Sequence, residues 1–184
     1  SRRVKTASQG AYNKEAHRVA SLIDAFPLTE EHAHRAIVLA NLRNPIDIFH
    51  FAGHARHSVG DSLNIRLILS DGVIALDDWL SLPQLPRLIV LNACNTGPPA
   101  GSYTVRLPEL LAATGAAYVL TTRRAIDDKE ATQFIDAFYR FGGAQRPTDA
   151  MRKAIQQSVQ RGLTAWRHVE LWMPTTEVRR SQPR

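Results

Sequence analysis

Ile46-Asp47-Ile48-Phe49-His50-Phe51-Ala52-Gly53-His54 and Leu88-Ile89-Val90-Leu91-Asn92-Ala93-Cys94-Asn95-Thr96-Gly97 decide how the chain reads. Each is a nearly continuous apolar run that ends among small residues. Such runs belong to strands buried on both faces, as in a parallel sheet. The reading places one strand over Ile46 to Phe51 with a turn at Gly53, and a second over Leu88 to Asn92. His54 then lies at the exit of the first strand and Cys94 at the exit of the second. Open α/β sheets build their sites at the carboxyl ends of strands. An imidazole and the only thiol of the chain at two such ends are the minimum equipment of a cysteine hydrolase. A free thiol, with a pKa of about 8.5, is mostly protonated at neutral pH, and a neighbouring imidazole can take its proton. The N–H groups of residues 55 and 94 are candidates to hold the oxyanion of a tetrahedral intermediate.

Outward from these two runs, strand and helix signals alternate. Apolar residues at helical spacing (Ala16, Val19, Ala20, Leu22, Ile23) predict an amphipathic helix over Ala11 to Phe26. A second helix is expected from Thr29 to Leu42, ended by Asn44-Pro45. Asp71-Gly72 between Asn64–Leu69 and Val73–Leu76 signals a β-hairpin. A short helix follows over Asp77 to Leu82, with Asp77 as its cap. Helices are predicted over Leu107 to Thr114, Asp127 to Phe141 and Thr148 to Gln160, and strands over Ala117 to Thr122 and Val169 to Met173. The aromatic set Phe134, Phe138, Tyr139 and Phe141 reads as helix packing. The class is α/β, with a mostly parallel central sheet, helices on both faces and one β-hairpin insertion.

Composition bounds the rest. The chain has 184 residues, 44% hydrophobic and 22% charged, which suits one folded domain with a substantial core. A lone cysteine forms no internal disulfide, which suits a reducing compartment. No apolar run reaches the roughly 18 residues of a membrane span, and no apolar stretch follows the basic start, as a signal peptide would need. Much of the net charge of +6 comes from Arg2, Arg3 and Lys5 at one end and Arg179, Arg180 and Arg184 at the other. No interior stripe of basic and aromatic residues marks a nucleic-acid surface. There is no GxxxxGK phosphate loop. His50, His54 and His57 make a weak metal reading, because a turn at Gly53 would separate the first two. His50 is expected to pack within the sheet, and His57 is an alternative base. His32 and His34, two apart on a helix, face different sides.

At this point a family resemblance is carried by named residues. His50-Phe51-Ala52-Gly53-His54-Ala55 resembles the HfagHg signature of CHAT domains, caspase-like proteases often fused to tetratricopeptide repeats. Leu91-Asn92-Ala93-Cys94-Asn95-Thr96-Gly97 resembles the LsACnTG motif of that family. Leu69-Ser70-Asp71-Gly72, Leu110 to Gly115 with Ala117 to Leu120, Ile126-Asp127-Asp128 with Phe134, Phe138 and Tyr139, Ala150-Met151 with Ala154, and Trp166 are similar to its remaining motifs. The resemblance covers about residues 14–174. It implies a caspase-like α/β sandwich, with His54 as acid/base, Cys94 as nucleophile and the N–H groups of Ala55 and Cys94 as the oxyanion hole. It implies no metal or organic cofactor. Asn92, Arg123, Asp127 and Asp128 are candidate substrate-binding residues, and Asp127 and Asp128 are also candidate helix caps. Where the family usually has Gly, this chain has Ala55; where it has Ser-Leu-Trp, Thr121-Thr122-Arg123 stands. Residues 1–10 are a poor match for the strand that members carry before their first helix.

The expected organisation is a loose segment over 1–10, a CHAT-like protease domain over 11–174 and a basic tail over 175–184. A chain that starts at Ser1 is expected to be part of a longer multidomain protein. The expected function is cysteine endopeptidase action on a protein substrate. Regulation by a tetratricopeptide-repeat or sensor partner is expected, in a bacterial cytoplasmic defence or stress setting, with no membrane partner and nucleic acid involved only indirectly. The alternative is a caspase-like interaction or scaffold module without activity, since a fold does not fix a function.

Overall fold

A computed structural model describes the backbone of residues 9–29, 32–58, 61–94, 107–122 and 126–174, and the side chains of these except 9, 57, 58, 61–64 and 94. Its order is α1 (Gln9–Ile23), α2 (Arg35–Leu42), β1 (Ile48–Ser58), β2 (Asp61–Ile68), β3 (Val73–Ile74), α3 (Leu76–Leu80), β4 (Leu88–Cys94), α4 (Leu107–Ala113), β5 (Tyr118–Thr122), α5 (Asp128–Arg140), α6 (Pro147–Gln160), a 3₁₀ turn (Ala165–His168) and β6 (Val169–Trp172). Six strands form one sheet in the order β3-β2-β1-β4-β5-β6. The central trio β1, β4 and β5 is parallel, and the outer strands join it antiparallel.

The apolar runs are buried on both faces because helices cover both. Ile89 and Leu91 of β4 face α2, α3 and α4 through Val38, Leu39, Leu42, Trp79, Leu107 and Leu111. Leu88 and Val90 face α1, α5 and α6 through Val19, Phe134, Phe138, Ala150 and Ala154. Leu88 to Leu91 are fully buried, and burying each such side chain contributes roughly 1.5–3 kcal/mol. The aromatic residues of α5 are packing residues, as their spacing predicts.

Three expectations are corrected in detail. The first strand does not turn at Gly53: β1 continues for 11 residues to Ser58, because residues 55–58 pair with β2. Gly53 is small for a packing reason, since a Cβ there would lie 2.8 Å from Cζ of Phe51. The second helix starts at Arg35, not Thr29. The Thr29 carbonyl instead accepts from the N–H groups of His32 and Ala33 in a turn, so His32 and His34 precede the helix. The N-cap position of α3 is Ala75, whose N–H donates to Asp78 Oδ2 at 2.9 Å, and Asp77 lies inside the helix. The hairpin at Asp71-Gly72 is present, closed by Leu69 N–H donating to the Gly72 carbonyl, and Asp71 accepts from the Arg35 N–H. No described helix is long and apolar enough to cross a membrane.

Candidate active site

β1 and β4 run parallel in a register that sets His54 opposite Cys94, the last of their matched pairs. Neighbouring strands lie about 4.8 Å apart, and matched positions of a parallel pair share a face of the sheet. One residue later β1 changes partner, and Ala55 stands opposite Leu67 of β2. His54 is exposed. The Tyr12 ring of α1 meets its imidazole edge to face, with centroids 5.3 Å apart and planes at 89°. Among the described residues only Asp24 combines a side chain with positive φ, so Ala55 keeps an ordinary backbone where the family has Gly. The side chain of His57, the alternative base, lies outside the described residues.

Behind these two positions lies a buried polar cluster. Glu15 of α1 is 1% exposed. Asn92 Nδ2 donates to both of its carboxylate oxygens, at 2.8 and 2.9 Å. Thr132 Oγ1 of α5 donates at 2.9 Å, and His50 Nε2 lies 3.0 Å from Oε1. The other imidazole nitrogen of His50 meets the Tyr139 hydroxyl at 3.2 Å. Burial alone would push the Glu15 carboxyl up. The hydrogen bond and charge of His50, with the bonds from Asn92 and Thr132, outweigh it and hold Glu15 below the ordinary carboxylate range. Burial, then the Glu15 anion, push the Tyr139 phenol far up, so it stays neutral.

A small recess opens beside this cluster, between α1, the carboxyl ends of β4 and β5, and the start of α5. Tyr12, Asn92, Ala93, Thr122, Asp128 and Thr132 contribute to its lining. Thr122 Oγ1 donates to the Ala93 carbonyl at 2.9 Å and ties the two strand ends together.

The predicted site residues divide accordingly. His54 and Cys94 are brought to one register position. Asn92 lines the recess, with its amide hydrogens held by Glu15. Asp128 lines it too. Asp127 is the N-cap of α5: its Oδ1 accepts from the Lys129 and Glu130 N–H groups at 3.0 and 3.1 Å. Arg123 and the side chain of Cys94 lie outside the described residues. His50 is packed in the sheet as expected, but on the same strand and face as His54, with no turn between them. Glu15 and Tyr12 escaped the sequence reading. Glu15 stands four residues before Val19 and seven before Leu22, on the apolar stripe of α1. A carboxylate on that stripe, with His50 and Asn92 as the polar positions in two apolar strands, was the available signal.

A family model described as the CHAT domain matches residues 2–176. The chain belongs to the CHAT domain family. The Arg specific cysteine proteinase gingipain R is a structural neighbour of this CHAT domain, with a TM-score of 0.62 at 12% sequence identity. The match covers 88% of this chain and 41% of the gingipain chain, so the CHAT domain spans about two fifths of that neighbour. At this identity the likeness shows a caspase-like fold. A search of curated proteins gives no match.

Proposed function

We propose that this CHAT domain is a cysteine endopeptidase in which Cys94 is the nucleophile and His54 the acid/base. The observation that carries the reading is the register of β1 and β4, with residues 54 and 94 opposite each other at the carboxyl end of the parallel core. His54 takes the thiol proton, and the thiolate sulfur bonds to the carbonyl carbon of a peptide. The N–H groups of Ala55 and Cys94 hold the oxyanion, a kind of contact whose loss typically raises the barrier by about 3 kcal/mol. The intermediate collapses as His54 returns the proton to the departing amine, leaving a thioester. Water, deprotonated by His54, then adds to the thioester carbonyl. The C–S bond breaks, the thiol is re-formed and the carboxylic product leaves.

Asn92, Arg123 and Asp128 are assigned to the substrate cleft, with Asp127 retained there beside its capping role. Asp128 on the recess wall favours a basic residue before the cut, in line with the name of the Arg specific cysteine proteinase gingipain R. Regulation by an attached domain or a partner subunit of the tetratricopeptide-repeat or sensor type, in a bacterial cytoplasmic defence setting, completes the reading. The test is cleavage of a proteome-derived peptide library by the intact protein and by Cys94→Ala and His54→Ala. The intact protein should cut, with basic residues enriched before the bond, and both variants should lose at least about 1,000-fold in rate. Cutting that survives either substitution removes that residue from the mechanism.

A further inference from the structure

The mechanism leaves one buried carboxylate without a role. Glu15 ties together four elements: it sits on α1, and its partners are His50 of β1, Asn92 of β4 and Thr132 of α5. The arrangement is fully matched, since an ionised carboxylate offers about four acceptor sites and four hydrogen bonds reach it. Removing one member of such a cluster strands the rest in a low-dielectric interior. Two of its neighbours point toward the chemistry. Asn92 is two residues before Cys94 on β4. Tyr12 is one helical turn before Glu15 on α1, and its ring lies against His54.

We propose that Glu15 is a positioning residue for the Cys94–His54 pair: its carboxylate clamps the N-terminal half of α1 onto the sheet, and so holds the Tyr12 ring on the His54 imidazole and the Asn92 side chain beneath the nucleophile position. The proposal rests on the protease reading above for its effect on rate, but not for its effect on geometry. Toward the C-terminus α1 has other fasteners, the buried Val19 and Ala20 and the Arg18–Asp136 ion pair at 2.7 Å. Toward the N-terminus, among the described side chains, Glu15 is the fully buried one, three residues after Tyr12. Glutamine at this position keeps the shape but turns an NH₂ group toward donors on Asn92, Thr132 or His50, so donor faces donor.

The test combines a spectroscopic and a kinetic measurement on the intact protein. Proton NMR signals of the His54 ring, assigned by their absence in His54→Ala, carry the ring-current shift of Tyr12. Tyr12→Leu should remove that shift. Glu15→Gln should move the same signals in the same direction, and the double variant should move them no further than Tyr12→Leu alone. On a cleaved peptide, Glu15→Gln should lower kcat on the order of 100-fold with KM nearly unchanged, the mark of a misplaced reacting group. If Glu15→Gln does not fold, Thr132→Val, which deletes one donor from the cluster, should shift the His54 signals in the same sense by less. A wild-type protein that cuts nothing sinks the protease reading, while the NMR arm still decides the clamp. A folded Glu15→Gln protein with His54 signals and kcat unchanged overturns the proposal and leaves Glu15 a structural group.

Discussion

Glu15 makes the stability of the domain sensitive to acid. Its folded-state pKa lies below the ordinary 4.5, because the His50, Asn92 and Thr132 interactions favour the anion more than burial disfavours it. A depressed carboxyl pKa contributes stability that is fully present above the unfolded-state pKa and is lost as pH falls through the folded-state value. Wild-type and Glu15→Gln proteins should therefore differ most in urea-unfolding free energy at neutral pH, and the gap should close at pH values below about 4. A gap of constant size from pH 7 to pH 3 would show that the charge is not what matters. Gly53 gives a second residue-scale prediction. With Cζ of Phe51 2.8 Å from where a Cβ would stand, Gly53→Ala forces the buried ring to shift. It should destabilise by about 1–3 kcal/mol in the same assay. At this scale His54 and Cys94 stood out in the sequence as candidates, a histidine and a lone thiol at the ends of apolar runs, and the register of β1 and β4 sets them opposite each other. Glu15 was not, because a single glutamate in a polar-rich helix signals burial only once its partners on other elements are known.

Elements owe their ends to local chemistry. Asp127 caps α5 through two backbone N–H groups, and Asp127→Ala should cost about 1 kcal/mol, seen as a lower Tm. At the other face of α5, Glu130 accepts from the Thr164 and Ala165 N–H groups, which hold its carboxyl below the ordinary range and fix the turn that leads into β6. Helix and strand identity was legible wherever caps and apolar periodicity agreed, as in α1, α5, α6 and β4. Element ends were misread at Thr29, where a turn precedes the helix, and at Gly53, where one glycine suggested punctuation. Gly53 reads as a turn from the sequence, yet β1 runs through it, because pairing with β2 satisfies the backbone of residues 55–58 and the glycine makes room for Phe51. That continuity bears on function. His54 sits where β1 passes from pairing with β4 to pairing with β2, inside a strand and not at a loose strand exit.

At the scale of the molecule, a parallel trio flanked by antiparallel strands brings residues 40 apart in sequence to one register position. Near-continuous apolar runs made the buried parallel core legible, whereas the strand order could not be read from them, since it depends on pairings distant along the chain. The central claim is that His54 activates Cys94, and the chain has a single cysteine, so its alkylation reports on one atom. The direct measurement is the rate of Cys94 alkylation by iodoacetamide in the intact protein from pH 5 to pH 10, with His54→Ala alongside. The account predicts a wild-type profile whose midpoint lies clearly below the roughly 8.5 of a free thiol, and a midpoint in His54→Ala that returns to that value or above it. Two superimposable profiles, both at or above the free-thiol midpoint, would contradict it.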